Sequence, residues 1–216
     1  MSHSFRVPPR IALLGVTALA MTALVAGPVS CAGHRQPNTP RSNMVTVAEP
    51  TAPLSATEAF ATVARVLRHP RCLNCHTVTD FPRVGDDGDP HRMNVRRGPD
   101  NHGPAGLQCS TCHQDRNQPE ANVPGAPHWG LAPLSMGWEG LDDRQLAENL
   151  QNRAMNGDRS LEDLHHHVAH DPLVLWAWDA GAGREAPPVD HASFAEAFKA
   201  WVDGGAPLPP AGVTSY

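Results

Sequence analysis

Aromatic residues are scarce in this 216-residue chain: phenylalanine, tryptophan and tyrosine make up 5% of it, with a single tyrosine. Little aromatic bulk is therefore left for a conventional core. No segment alternates apolar and polar residues over a useful length, which excludes a substantial sheet. Strong positive charge is also lacking. The net charge is −5 with 13 histidines taken as neutral, so nothing here suits a nucleic-acid surface. The apolar run from Ile11 to Ala26 falls short of the roughly 20 residues that a spanning helix needs. Cysteine is rare as well, five in all, yet four of the five fall in two short clusters.

Those clusters are Cys72-Leu73-Asn74-Cys75-His76 and Cys109-Ser110-Thr111-Cys112-His113. Both read C-x-x-C-H, the attachment signal for c-type haem. Two thiols two residues apart can each form a thioether to one porphyrin edge. The next residue, His76 or His113, then supplies the proximal iron ligand. Other uses of paired cysteines fit less well. A structural zinc site is the first, but 33 residues separate Cys75 from Cys109, against about 15–20 in the common ribbon spacing. A thioredoxin-like dithiol calls for a βαβ pattern that is absent, and disulfides are open to an exported chain. The expectation is two covalent haems, which would also make good the shortage of apolar bulk.

The N-terminus reads as an export signal over residues 1–32. Arg6 and Arg10 precede the apolar run, small residues follow it, and no twin-arginine pair is present, which points to the general secretory route and the periplasm. Haem c is attached outside the cytoplasm, so the two readings agree. Cys31 stands where the acylated cysteine of a lipoprotein would, although Pro28 replaces the usual leucine. The alternative is cleavage near Ala32, which would remove Cys31. A lipid there is the one membrane attachment the sequence offers. Residues 33–53, rich in Pro, Thr, Asn and Ser, read as a flexible tether.

The di-haem domain spans residues 54–216. Ser55 and Glu58 form a capping box for a helix carrying Phe60, Val63, Ala64 and Leu67 on one face and ending near His69-Pro70. Its apolar face can lie against the first haem. Asp142 to Asn152 reads as a helix with Leu146 and Leu150 inward, stopped by Asn156-Gly157. Ser160 and Asp163 cap a helix to His170 with Leu161, Leu164 and Val168 on one face, ended by Pro172. Asp190 or Ser193 opens the last helix, with Phe194, Phe198, Trp201 and Val202 as its buried stripe and Gly204-Gly205 closing it. Between these lie loops; Gly85-Asp86-Asp87-Gly88-Asp89-Pro90 is turn chemistry. The fold class is mainly α, loop-rich and haem-nucleated.

Each iron needs a sixth ligand, or an open position if it binds substrate. His91, Met93, His128, Met136, His167 and His170 are the candidates; methionine would raise the potential relative to histidine. His165-His166-His167 on a helix point in three directions, so at most one faces a given iron. Arg92, Arg96 and Arg97 form a basic patch that would pair with haem propionates. The five tryptophans are expected to pack haem faces and edges. The mildly acidic surface is compatible with a basic redox partner.

From His69-Pro70-Arg71 into the first motif, the chain resembles a family of small exported di-haem cytochromes c. The likeness continues through Pro90-His91-Arg92-Met93, Arg97-Gly98-Pro99, Cys109 to Gln114, Pro124 to Trp129, Met136-Gly137-Trp138 and Asp171-Pro172-Leu173-Val174, covering roughly residues 60–205. Members are known as isoquinoline 1-oxidoreductase subunits. The resemblance implies a cytochrome subunit that takes electrons from an exported molybdenum hydroxylase, with His91 and Met136 carried over as further iron ligands. Nothing in the chain itself would bind molybdopterin. The expected activity is therefore electron carriage and not catalysis, with a di-haem peroxidase-like enzyme or a zinc module as the alternatives.

Overall fold

The computed structural model describes residues 54–216. The expected export signal, the tether and Cys31 lie outside the described residues. Of those described, 41% are helical and 4% lie in strands, so the protein is mainly helical with no substantial sheet.

Local chemistry sets the helices. Helix α1 (Ala56–Leu67) starts at Ser55, whose hydroxyl accepts from the Glu58 amide while the Glu58 carboxylate accepts from the Ser55 amide at 2.9 Å. The short α2 (Pro70–Leu73) follows, capped by the His69 ring. A two-residue antiparallel pair comes next, β1 (Arg83–Val84) against β2 (Asp89–Pro90). The glycine-aspartate turn joins them, with Gly85 and Gly88 at φ +74° and +66°. Helix α3 (Asp143–Gln151) is capped by Asp142, and Gln145 completes its box. Helix α4 (Leu161–His170) has the expected Ser160–Asp163 box. Asp171, extended before Pro172, ends α4 and caps α5 (Pro172–Leu175). Asp190 caps α6 (His191–Asp203).

Helix α3 ends at Gln151 with Asn152 as its cap, as expected, but Asn152 itself supplies the stop in place of Asn156-Gly157. The Asn152 side chain accepts from the Ala154 amide at 3.1 Å and draws the backbone out of the helix. Asn156 is buried instead and donates to the Leu150 carbonyl at 2.7 Å, satisfying a helix end that would otherwise lack a donor.

The core forms where α1 crosses α6. Phe60 meets Trp201 at 4.7 Å between ring centroids, and Phe198 sits edge-on to Trp201 at 5.5 Å. All four residues of the expected α1 face are buried. From α3 come Leu146 and Leu150, and from α4 Leu164 and Val168. The C-terminus is tied down by Asp143, which takes Arg68 at 2.6 Å and the Ser215 hydroxyl at 2.6 Å. Residues 74–140 carry few regular elements and run as loops beside this helical layer, and both cysteine motifs sit within or next to them.

Candidate functional site

Each cysteine motif folds as a single helical turn. In the first, the amides of Cys75 and His76 donate to the Cys72 carbonyl at 3.1 and 2.9 Å. In the second, Cys112 and His113 donate to the Cys109 carbonyl at 3.2 and 2.9 Å. A turn of this pitch puts both thiols and the histidine of one motif on neighbouring faces.

Both histidines are held alike. His76 donates from Nδ1 to the Met136 carbonyl at 3.0 Å, and His113 from Nδ1 to the Pro124 carbonyl at 2.7 Å. A carbonyl only accepts, so Nδ1 carries the proton and Nε2 the lone pair in each ring. An indole backs each ring: Trp138 on His76 and Trp129 on His113, both stacked near parallel. Burial pushes the His76 ring down to about 3, and burial also lowers His113. Both are neutral imidazoles, the form that binds a metal. The same burial raises the Cys72 thiol to about 12 and the Cys75 thiol to about 11.

The motifs open onto two adjoining cavities. The larger, about 410 Å³, is lined by Cys72, Cys75, His76 and side chains of α1, α4 and α6. The smaller, about 280 Å³, is lined by Cys75, Cys109, Cys112, His113, His91 and Trp129. Cofactor pockets commonly measure roughly 300–1,000 Å³, so both are of that order. Cys75, Arg71 and Trp176 line both, and form a shared wall.

Arg71 is the polar residue that stands out in that wall. Its Nη2 donates to the Gly85 carbonyl at 2.7 Å and pairs with Asp86, while its buried Nε has no partner. An anionic ligand in either cavity would answer that orphan donor. Sequence reasoning did not single it out, although it directly precedes Cys72. The expected propionate partners line neither cavity, although Arg97 Nε is likewise buried without a partner. Arg97 is buried and donates to the carbonyls of Thr77, Thr79 and Ala132 and to Asn101. It is a loop clamp. Arg92 and Arg96 are exposed, the latter 3.9 Å from Asp80.

The candidate sixth ligands separate clearly. His91 lines the cavity of His113, with ring centroids 6.1 Å apart and planes 71° from parallel, and it too donates from Nδ1, to the Arg92 carbonyl at 2.7 Å. Met93 lines the same cavity and is 71% exposed. Met136, carried over as a ligand, is buried in the wall of the His76 cavity, and its own carbonyl holds His76. His167 lines that cavity; His128 does so from an exposed position. His166 and His170 turn away from it and lie 4.9 Å from each other. Of the His165-His166-His167 run, only His167 lines either of these two cavities.

Three of the five tryptophans, Trp129, Trp138 and Trp176, line the cavities. Trp178 and Trp201 belong to the helical core. Among the described residues no three His, Cys, Asp or Glu side chains gather as ligands of one ion. No described helix is long and apolar enough to cross a membrane. No family model matches this chain, and neither do the curated proteins or the solved structures.

Proposed function

We propose that this chain is an exported c-type cytochrome with two covalently attached haems, and that it carries single electrons to or from a redox partner. The observation that carries the reading is the duplication of one local device. Twice, a C-x-x-C-H turn opens onto a cavity with its imidazole fixed at Nδ1 by a carbonyl and backed by an indole. Packing alone does not require both histidines to be protonated on the same nitrogen. Iron ligation does.

Cys72 and Cys75 would hold one haem and Cys109 and Cys112 the other, with His76 and His113 as proximal ligands. His91 would take the far side of the second iron. His91 and His113 line one cavity with their ring centroids 6.1 Å apart. Arg71 would neutralise carboxylates of the cofactors. Each haem, when bound, supplies a one-electron iron couple.

The place of work follows from the export signal in the sequence. A natural partner is a periplasmic oxidoreductase such as a molybdenum hydroxylase, whose electrons this chain would accept.

The test is a quantitative pyridine haemochrome assay on protein exported from a host with haem c maturation. Two covalent haems per chain are expected, and one per chain in Cys109→Ala/Cys112→Ala. A matured wild-type chain without covalent haem overturns the reading.

A further inference from the structure

We propose that His167, held by Asp171, is the sixth ligand of the iron that His76 binds, and that Met136 is not a ligand. This inference rests on the di-haem reading above.

Three observations assemble the site. First, Leu164, His167, Val168 and Asp171 all line the larger cavity. Their spacing of i, i+3, i+4, i+7 is one face of α4 continued into its cap. Helix α4 therefore presents an apolar stripe to the cavity with a single imidazole in it. An apolar residue at that position would serve packing better, so the histidine calls for a polar purpose.

Second, His167 is arranged as a ligating histidine is. Its Nδ1 lies 2.9 Å from Asp171 Oδ2. A carboxylate accepts, so the proton sits on Nδ1 and the lone pair on Nε2. Carboxylate-backed imidazoles of this kind are common around bound metals, because the second bond fixes the ring and raises its basicity. Asp171 is fixed in turn, since its Oδ1 caps α5 through the Leu173 amide at 2.9 Å.

Third, the position of Met136 excludes it. The two nitrogens of an imidazole point to opposite ends of the ring. The Met136 carbonyl occupies the Nδ1 end of His76, and a metal would occupy the Nε2 end. The Met136 backbone is thus behind the proximal ring. Its thioether would have to reach around the cofactor to meet the opposite face. His102 and His128 also line the cavity, but both are exposed and neither has a carboxylate behind it.

With His91 on the other iron, both centres would be bis-histidine, and both would have lower potentials than a His/Met pair. The experiment uses the full chain matured with haem, as wild type and as His167→Met, His167→Ala and Met136→Leu. The haem count comes first, then ferric spectra through the far red and a redox titration. The wild type should lack the far-red band of iron-bound methionine sulfur, and Met136→Leu should not differ from it. His167→Met should gain that band on one of its two haems, and the midpoint of one redox step should rise while the other stays. His167→Ala should show one high-spin haem; where it is not recovered folded, His167→Met carries the test. Two bound haems with unaltered spectra in the His167 variants overturn the assignment. So does a far-red band in the wild type that Met136→Leu abolishes. No covalent haem at all overturns the underlying reading together with this one.

Discussion

The imidazole of His76 lies flat on the indole of Trp138, with centroids 3.5 Å apart and planes 11° from parallel. His113 stands in the same relation to Trp129 at 4.7 Å and 8°. The first stack is the more deeply set. Trp138 is buried and donates from Nε1 to Asn149 at 3.1 Å, while Trp129 is half-buried. Trp138→Ala should therefore cost about 3–5 kcal/mol, as other large aromatic truncations in cores do. Trp129→Ala should cost less. Urea denaturation of the two variants checks both the magnitude and the order.

Arg97 and Arg96 are neighbours in sequence with opposite fates. Arg97→Met would strand the carbonyls of Thr77, Thr79 and Ala132 inside the loop layer. A loss on the order of 3 kcal/mol is expected, since each buried acceptor left unmade costs roughly 1–3 kcal/mol and water can reach some of them. Arg96→Met removes an exposed charge and should stay within about 0.5 kcal/mol of wild type. Equal losses from the two changes, read by denaturation, would refute the loop-clamp role.

Asp190 at the start of α6 takes the Ser193 amide at 2.9 Å and the Ser193 hydroxyl at 2.8 Å, and these bonds lower its pKa. A carboxylate whose folded pKa is depressed adds stability that is complete above its unfolded value, about 4. That contribution is lost as pH falls through the lower folded value. Acid should therefore fray α6 only below about pH 4. The Ser193 amide resonance should follow this titration in the wild type and cease to follow it in Asp190→Asn, whose amide caps without titrating.

Much of the helical layer was legible because its signals are local. Ser55 with Glu58, and Ser160 with Asp163, name their own helix starts within four residues. The stripe of Phe194, Phe198 and Trp201 is likewise a matter of spacing along one segment. The C-x-x-C-H turns were legible for the same reason. What surrounds them was not. The bond from His76 to Met136 spans 60 positions, and no local pattern announces it. Methionine in a loop after a C-x-x-C-H motif reads as sulfur offered to a metal, and nothing in that pattern announces the role of its backbone oxygen. Arg97 is a similar case, because three arginines in six residues look like a solvent-facing patch until the loop closes around one of them. The end of α3 was legible but its cause was not: Asn152 and Asn156 both carry stop chemistry, and only the competing side-chain bond decides between them.

The wall of the larger cavity has a consequence for the order of events in biogenesis. It draws on Leu67 of α1, Leu164 and Val168 of α4, and Phe194 and Phe198 of α6, so it is complete only when the last helix has docked. By then Cys72 is packed against the helical layer. An attachment enzyme needs both thiols of a motif and an approach wide enough for a porphyrin. If this cavity holds a haem, that haem would be joined to a chain still open at its C-terminal end, and the closing of α6 over it would be the step that seals maturation.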